Sequence, residues 1–135
     1  MTTNILTDTN ILIYGFDKKS IFHEKAQDFL KNPLNFLFIS SKNISEFFAV
    51  TSKLKMDTDL CLEYYYEFKS NANILVPTEK SLTIFETLIK KYQPVGNQVY
   101  DIEIVSMMLD NDVIDIATFN KKDFVHITEV RLFNF

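Results

Sequence analysis

Short apolar runs along the chain are separated by longer stretches in which apolar and charged residues repeat at helical spacing. The short runs have the length and composition of buried strands in a parallel sheet. Pro77 directly follows the third run and marks its end. The pattern predicts four strands and a last edge strand, at 4–8, 36–39, 73–76, 113–118 and 128–132.

The intervening stretches predict helices with one apolar face. An amphipathic helix over 21–30 ends before Pro33, and a helix over 57–68 follows the second strand at some distance. Two further helices have capping residues, at 40–43 and at Thr78. Another helix begins at Tyr100 or Asp101, and Thr9 and Asn10 form the turn into the first helix.

Because strands and helices alternate, the expected fold is α/β with a mainly parallel sheet. Right-handed crossovers place helices on both faces, which gives a three-layer α/β/α arrangement around four to five strands. The 135 residues suggest a single domain, 1–135, and no internal repeat or linker divides them.

Four acidic residues stand where predicted strands end or helices begin: Asp8, Glu46, Asp101 and Asp123. The carboxyl ends of parallel strands share one edge of a sheet, so these side chains are expected to meet there. Carboxylates in a cluster repel one another unless a cation lies between them, and hard oxygen ligands suit Mg²⁺ or Mn²⁺.

Each acid also has a local explanation. Asp8 could cap a helix, Glu46 could close a capping box that starts at Asn43, and Asp101 could interact with a helix dipole. Asp123 could be a turn residue. The metal site is therefore a prediction from the ordered set of four, not from any single member.

Composition narrows the function classes. Only two glycines are present, so a glycine-rich phosphate loop cannot be built, and two histidines with one cysteine cannot form a Cys/His zinc site. The net charge of −4 argues against passive binding of nucleic acid over the whole surface but not against a metal-dependent nuclease. The single cysteine, Cys61, and the absence of an evident signal peptide or membrane span lead us to expect a soluble cytoplasmic protein.

The sequence resembles the PIN-domain nucleases, particularly the VapC-type toxins of bacterial toxin–antitoxin pairs. The resemblance lies in blocks that occur in the family's order and span nearly the whole chain. These blocks are 6–14, 39–41, 44–47, 100–101 and 117–124. One departure is the bulky segment after Asp101, where many members have small residues.

The resemblance implies a metal-dependent ribonuclease, with Asp8, Glu46 and Asp101 as metal-binding acids. The fourth acidic place falls on Asp123, or on Asn120, where some members have aspartate. Supporting and substrate-binding residues follow from the same match and from nearby lysines: Asn10 and Thr118 near the metal, and Lys42, Lys121 and Lys122 for the RNA phosphates. A toxin of this type also implies an antitoxin partner and a homodimer.

Other functions compete with this one. A non-catalytic PIN-like module acting in regulation would have the fold with a broken acid set. A haloacid-dehalogenase-like phosphatase would use Asp8 as nucleophile but needs a second aspartate two residues on, where this chain has Asn10. A phospho-receiver domain would need adjacent acids at the first strand and a lysine on the last.

Overall fold

A computed structural model of the protein describes residues 2–135 and contains one sheet of five strands. The strands are all parallel, in the order β3-β2-β1-β4-β5. Their bounds are Thr3–Thr7 (β1), Asn35–Ser40 (β2), Ala72–Leu75 (β3), Asp115–Ala117 (β4) and Arg131–Leu132 (β5). The predicted α/β fold with a parallel sheet is confirmed.

Six α-helices cover the two faces of this sheet and complete three layers. They are Thr9–Phe16 (α1), His23–Lys31 (α2), Ser41–Lys53 (α3), Thr58–Ser70 (α4), Glu79–Tyr92 (α5) and Gln98–Asp110 (α6). None of these six helices combines the length and apolar character that a membrane crossing requires.

The alternation of side chains along each strand divides the core in two. In β1, Ile5 faces a cluster that includes the helices α1 to α4, with Phe47 and Cys61 fully buried in it. Leu6 points the other way, into a cluster formed with α5 and α6. Period-two alternation thus lets one short strand supply both hydrophobic cores.

Several helices and strands begin or end at other residues than the sequence predicts. The helix expected from residue 21 begins at His23, α6 begins at Gln98 before the predicted start, and α1 begins directly at Thr9 without a turn. The strand expected over 113–118 shrinks to Asp115–Ala117, because Asp112 at φ 58° and the backbone of Val113 still close the preceding helix. The edge strand is confirmed but contains only two residues.

An aromatic ladder stands beside the end of β4. The ring of Phe119 stacks between Phe22, at 4.8 Å between ring centroids, and Phe135, at 4.7 Å. The backbone N–H of Phe119 donates a hydrogen bond to the side chain of Asn10 at 3.0 Å. The segment that follows β4 is therefore fixed by aromatic packing on one side and by α1 on the other.

Candidate active site

Asp8 lies between β1 and α1 and accepts hydrogen bonds on both carboxylate oxygens. Its Oδ1 accepts from the backbone N–H of Thr9 (2.8 Å) and from Asn43 Nδ2 (3.2 Å). Its Oδ2 accepts from Thr118 Oγ1 (2.7 Å) and Asn10 Nδ2 (3.1 Å). Asp8 is thus the N-cap of α1 and also a buried acid whose direction is fixed by four donors.

Burial raises the pKa of Asp8 above its ordinary value. The hydrogen bonds from Thr118 and Thr9 oppose this rise, and the nearby charge of Asp123 adds to it. A carboxylate that stays in such a place without a partner cation is electrostatically costly.

Asn43 is a central residue of the site that the sequence did not reveal. It is fully buried on α3, and its Nδ2 donates to Asp8 and to Thr9 Oγ1 at 3.0 Å. Its Oδ1 accepts from Ser40 Oγ at 2.6 Å, within a capping box formed by Ser40 and Asn43. The alternative capping box from Asn43 to Glu46 is therefore wrong, because the box lies one turn earlier.

Glu46 follows Asn43 by about one helical turn and lies half-buried at the same edge of the sheet. The hydroxyl of Thr9 lies 3.4 Å from Glu46 Oε2, at the long end of hydrogen-bond distance. Burial raises the pKa of Glu46, the charges of Asp8 and Glu103 add to the rise, and Lys42 opposes it. Glu103 of α6, which the sequence did not single out, therefore also lies near Glu46.

Asp101 lies in the first turn of α6 and is partly exposed. Burial raises the pKa of Asp101 to about 7, and the charges of Asp123, Asp8 and Glu46 contribute to the rise in that order. The four predicted acids therefore lie close enough to affect one another electrostatically, although they come from four separate parts of the chain.

The segment after β4 supplies the remaining predicted residues. Thr118 is buried, and its Oγ1 accepts hydrogen bonds from Asn10 Nδ2 and from the backbone N–H of Asn120, both at 3.0 Å. The side chain of Asn120 is exposed, whereas Asp123, in a short 3-10 turn, contributes charge at both Asp8 and Asp101. Of the two candidates for the fourth acidic place, the geometry favours Asp123.

The predicted substrate-binding lysines differ in their surroundings. Lys42 is partly buried on the first turn of α3, with its Nζ 3.8 Å from the centre of the Tyr100 ring. Lys121 and Lys122 are exposed in the 3-10 turn that also contains Asp123. All three border the acids, and their role toward RNA stays a prediction.

The carboxylate oxygens of the site suit a divalent cation chemically. They are not, however, already grouped as a set of direct ligands within residues 2–135. Within residues 2–135, no three His, Cys, Asp or Glu side chains are close enough to hold an ion directly. Mg²⁺ commonly binds one or two carboxylates directly and keeps several waters, so acids that are too far apart to ligate one ion together can still hold it through its waters. The raised pKa values of Asp8, Glu46 and Asp101 indicate that a cation bound at this edge of the sheet would relieve repulsion between the carboxylates.

The raised pKa of Asp101 makes the stability of the metal-free protein depend on pH. An acid with a higher pKa when folded binds protons more tightly in the folded state, so the free energy of unfolding falls as pH rises. For Asp101 this fall in stability occurs between its ordinary pKa of 3.8 and its raised pKa of about 7. Because Asp101 is partly exposed, we expect only about 1 kcal/mol across this pH window after allowing for solvent screening.

Urea unfolding in EDTA, measured at several pH values across this window, tests that expectation. Asp101→Asn should flatten the dependence, and Mg²⁺ should raise the stability most at the alkaline end. An unfolding free energy that rises with pH in both the wild type and Asp101→Asn would contradict it.

The chain matches a known protein family. The model of the PIN domain family matches residues 5–130. The chain therefore belongs to the PIN domain family, and this part of the resemblance seen in the sequence is confirmed. No curated protein gives a significant match.

Solved structures show the same fold. A chain of VapBC2 from Rickettsia felis, in a structure with a promoter DNA fragment, is 23% identical, with 98% of this chain and 99% of that chain covered and a TM-score of 0.73. A chain of VapBC-1 from nontypeable Haemophilus influenzae is 22% identical, covering 98% of both, with a TM-score of 0.69. VapC20 of Mycobacterium tuberculosis, described as a sarcin-ricin loop cleaving toxin, is 13% identical over 94% of this chain and 98% of that chain, with a TM-score of 0.69.

Proposed function

We propose that the protein is a metal-dependent endoribonuclease and the toxin of a toxin–antitoxin pair. The observation that carries this proposal is the meeting of Asp8, Glu46, Asp101 and Asp123 at one edge of the sheet, in a chain of the PIN domain family. Their mutual influence on pKa indicates a negatively charged site that Mg²⁺ or Mn²⁺ would stabilise.

In this proposal Asp8 and Asp101 bind the ion directly, and Glu46 and Asp123 bind it or hold its waters. A bound divalent ion lowers the pKa of water and offsets charge on phosphate oxygens. The protein's own contribution is orientation. Thr118, Asn10 and Asn43 hold the Asp8 carboxylate in one direction by donating hydrogen bonds to it.

The lysines at the edge of the site are proposed to bind the RNA backbone. Lys42, Lys121 and Lys122 would contact phosphates on either side of the acids, which makes binding weaken as salt concentration rises. Since the net charge of the chain is −4, this binding is local to the site.

The proposed partners follow from the relatives. Some similar structures are toxin–antitoxin complexes, such as the one from Klebsiella pneumoniae, and we propose that an antitoxin covers this site too. A homodimer is proposed as well, and the exposed Val50 on α3 and Leu54 directly after it offer apolar surface for an interface. The buried, unpaired Cys61 fits the reducing cytoplasm as the place of action.

No observation favours the alternatives. A regulatory PIN-like module would not need four interacting acids. A haloacid-dehalogenase-like phosphatase needs an acid at position 10, and Asn10 instead donates hydrogen bonds to Asp8 and Thr118.

Digestion of a defined RNA with Mg²⁺ or Mn²⁺ tests the proposal. We expect cleavage with either ion, none in EDTA, and a loss of roughly a thousandfold in Asp101→Ala, because ion binding supplies several kcal/mol of transition-state stabilisation. Asp59→Ala, which changes an exposed acid on α4, is the matched control and should cleave normally.

A phosphatase assay on a small phosphomonoester is carried out in parallel with the RNA digestion. Hydrolysis of the monoester without RNA cleavage would favour the phosphatase. A folded wild type that cleaves nothing with either ion would overturn the nuclease proposal.

A further inference from the structure

Lys42 and Tyr100 form a contact at the edge of the acidic site. Tyr100 directly precedes Asp101 and has 46% of its surface exposed. Lys42 lies on the first turn of α3, four residues before Glu46, and its Nζ is 3.8 Å from the Tyr100 ring centre. An aromatic ring and an ammonium group therefore flank two of the four acids.

The partner of Lys42 is unexpected for its position. A lysine and a glutamate four residues apart on a helix lie on the same face and commonly pair. The ion pairs within residues 2–135 join Lys91 to Glu129 and Arg131 to Asp115, and Lys42 takes part in none. Its ammonium lies over a ring instead, so it makes no direct ion pair, although its charge still acts on Glu46.

This contact is also weak enough to be exchanged. An exposed cation–π pair is a weak interaction, and a phosphate is a stronger partner for an ammonium than a tyrosine face. As a purely structural contact, the pair would stabilise the junction of α3 and α6 slightly. Because the pair lies beside the acids, it could also contact a bound substrate.

We propose that Tyr100 and Lys42 form a subsite for one unpaired nucleotide of the RNA, next to the phosphate that is cut. The base stacks on the Tyr100 ring, and the ammonium of Lys42 contacts the adjoining phosphate. Proteins that bind single-stranded nucleic acid combine these two groups, because every base has a face that can stack. The inference rests on the proposed nuclease function and adds the two side chains that hold a base and its phosphate beside the cut.

Two measurements on three variants test the subsite. Binding of a labelled single-stranded RNA is followed by fluorescence anisotropy with Ca²⁺ replacing Mg²⁺, and cleavage is followed with Mg²⁺. Tyr100→Leu should weaken binding and raise KM about ten- to hundredfold with little change in kcat. Tyr100→Phe keeps the ring and should stay within about twofold of the wild type.

Lys42→Gln should lower the salt dependence of binding by about one ion. Tyr66→Leu, which removes an exposed tyrosine from α4, is the matched control and should bind and cleave as the wild type does. Thermal unfolding of each variant checks that it is folded.

A second RNA, which lacks the base of the unpaired nucleotide next to the cut, refines the test. The wild type should lose affinity for it by the same factor as Tyr100→Leu, and Tyr100→Leu should not distinguish the two RNAs.

The outcomes separate the two proposals. Equal binding and KM for Tyr100→Leu and the wild type would overturn the subsite and leave the nuclease intact. A wild type that binds RNA through Tyr100 but never cuts it would overturn the nuclease and leave the subsite. A wild type that neither binds nor cuts RNA would overturn both.

Discussion

Asp8→Asn should abolish RNA cleavage, by roughly a thousandfold or more, while the protein stays folded. Asp8 contributes to the raised pKa of both Glu46 and Asp101, so its charge acts on two of the other three acids. Its replacement removes one charge from the proposed ion-binding set and puts an amide where an oxygen ligand is needed.

The fold should tolerate this change because the shape of the side chain is kept. The remaining oxygen of the asparagine can still cap α1, whereas the two hydrogen bonds that Oδ2 accepts, from Thr118 Oγ1 and Asn10 Nδ2, must both rearrange. We expect the free energy of unfolding to change by no more than about 3 kcal/mol, since two of four hydrogen bonds must be rearranged.

Cleavage rate, Mg²⁺ affinity by calorimetry and thermal unfolding measure the three parts of this prediction. Asp28→Asn, on the exposed side of α2, is the matched control and should match the wild type in all three. Full activity in Asp8→Asn would remove Asp8 from the mechanism.

Asn43→Ala should have the second largest effect, and it should act on stability as well as on cleavage. The side chain is fully buried and joins three partners, namely Asp8, Thr9 and Ser40. Its loss leaves buried polar groups without a partner, which costs about 2–4 kcal/mol and lowers Tm by roughly 10 °C.

Chemical unfolding and thermal melting measure this loss. Asn71→Ala, an exposed asparagine after α4, should change stability by less than about 0.5 kcal/mol and is the control. Asn43→Asp adds a sharper test, because a second carboxylate would lie about 3 Å from Asp8 and its cost should grow with pH. Equal stability of Asn43→Ala and the wild type would contradict the role given to this residue.

Local sequence signals were sufficient to predict the layers of the fold. Thr78 does cap α5, and the strand at Ala72–Leu75 ends just before Pro77, as expected. Such features depend on residues near one another in the chain, so they can be read without knowing the tertiary structure. Boundaries shifted where the end of a neighbouring element decides them, as before Asp115, where Asp112 and Val113 still close α6.

The sequence singled out the four acids and two residues, Asn10 and Thr118, that donate to Asp8, but it did not single out Asn43. The four acids could be placed because they follow strands or open helices, and their assignment as ligands stays a prediction. Asn43 escaped notice because its capping role explained it locally, while its bond to Asp8 spans 35 residues. Tyr100 could not be assigned from the sequence, since only the folded chain places its ring against Lys42.

The aromatic ladder at Phe119 has a consequence for how the protein responds to heat. Asn10, which donates to Asp8, also accepts from the backbone of Phe119, and that ring is held between Phe22 and Phe135. The direction of a buried acid thus depends on ring packing just after the end of β4, outside the hydrogen-bonded strands. Since local openings need less free energy than global unfolding, warming should misalign this acid before the strands separate. The upper working temperature would then be set by three phenylalanines and lie below the melting point.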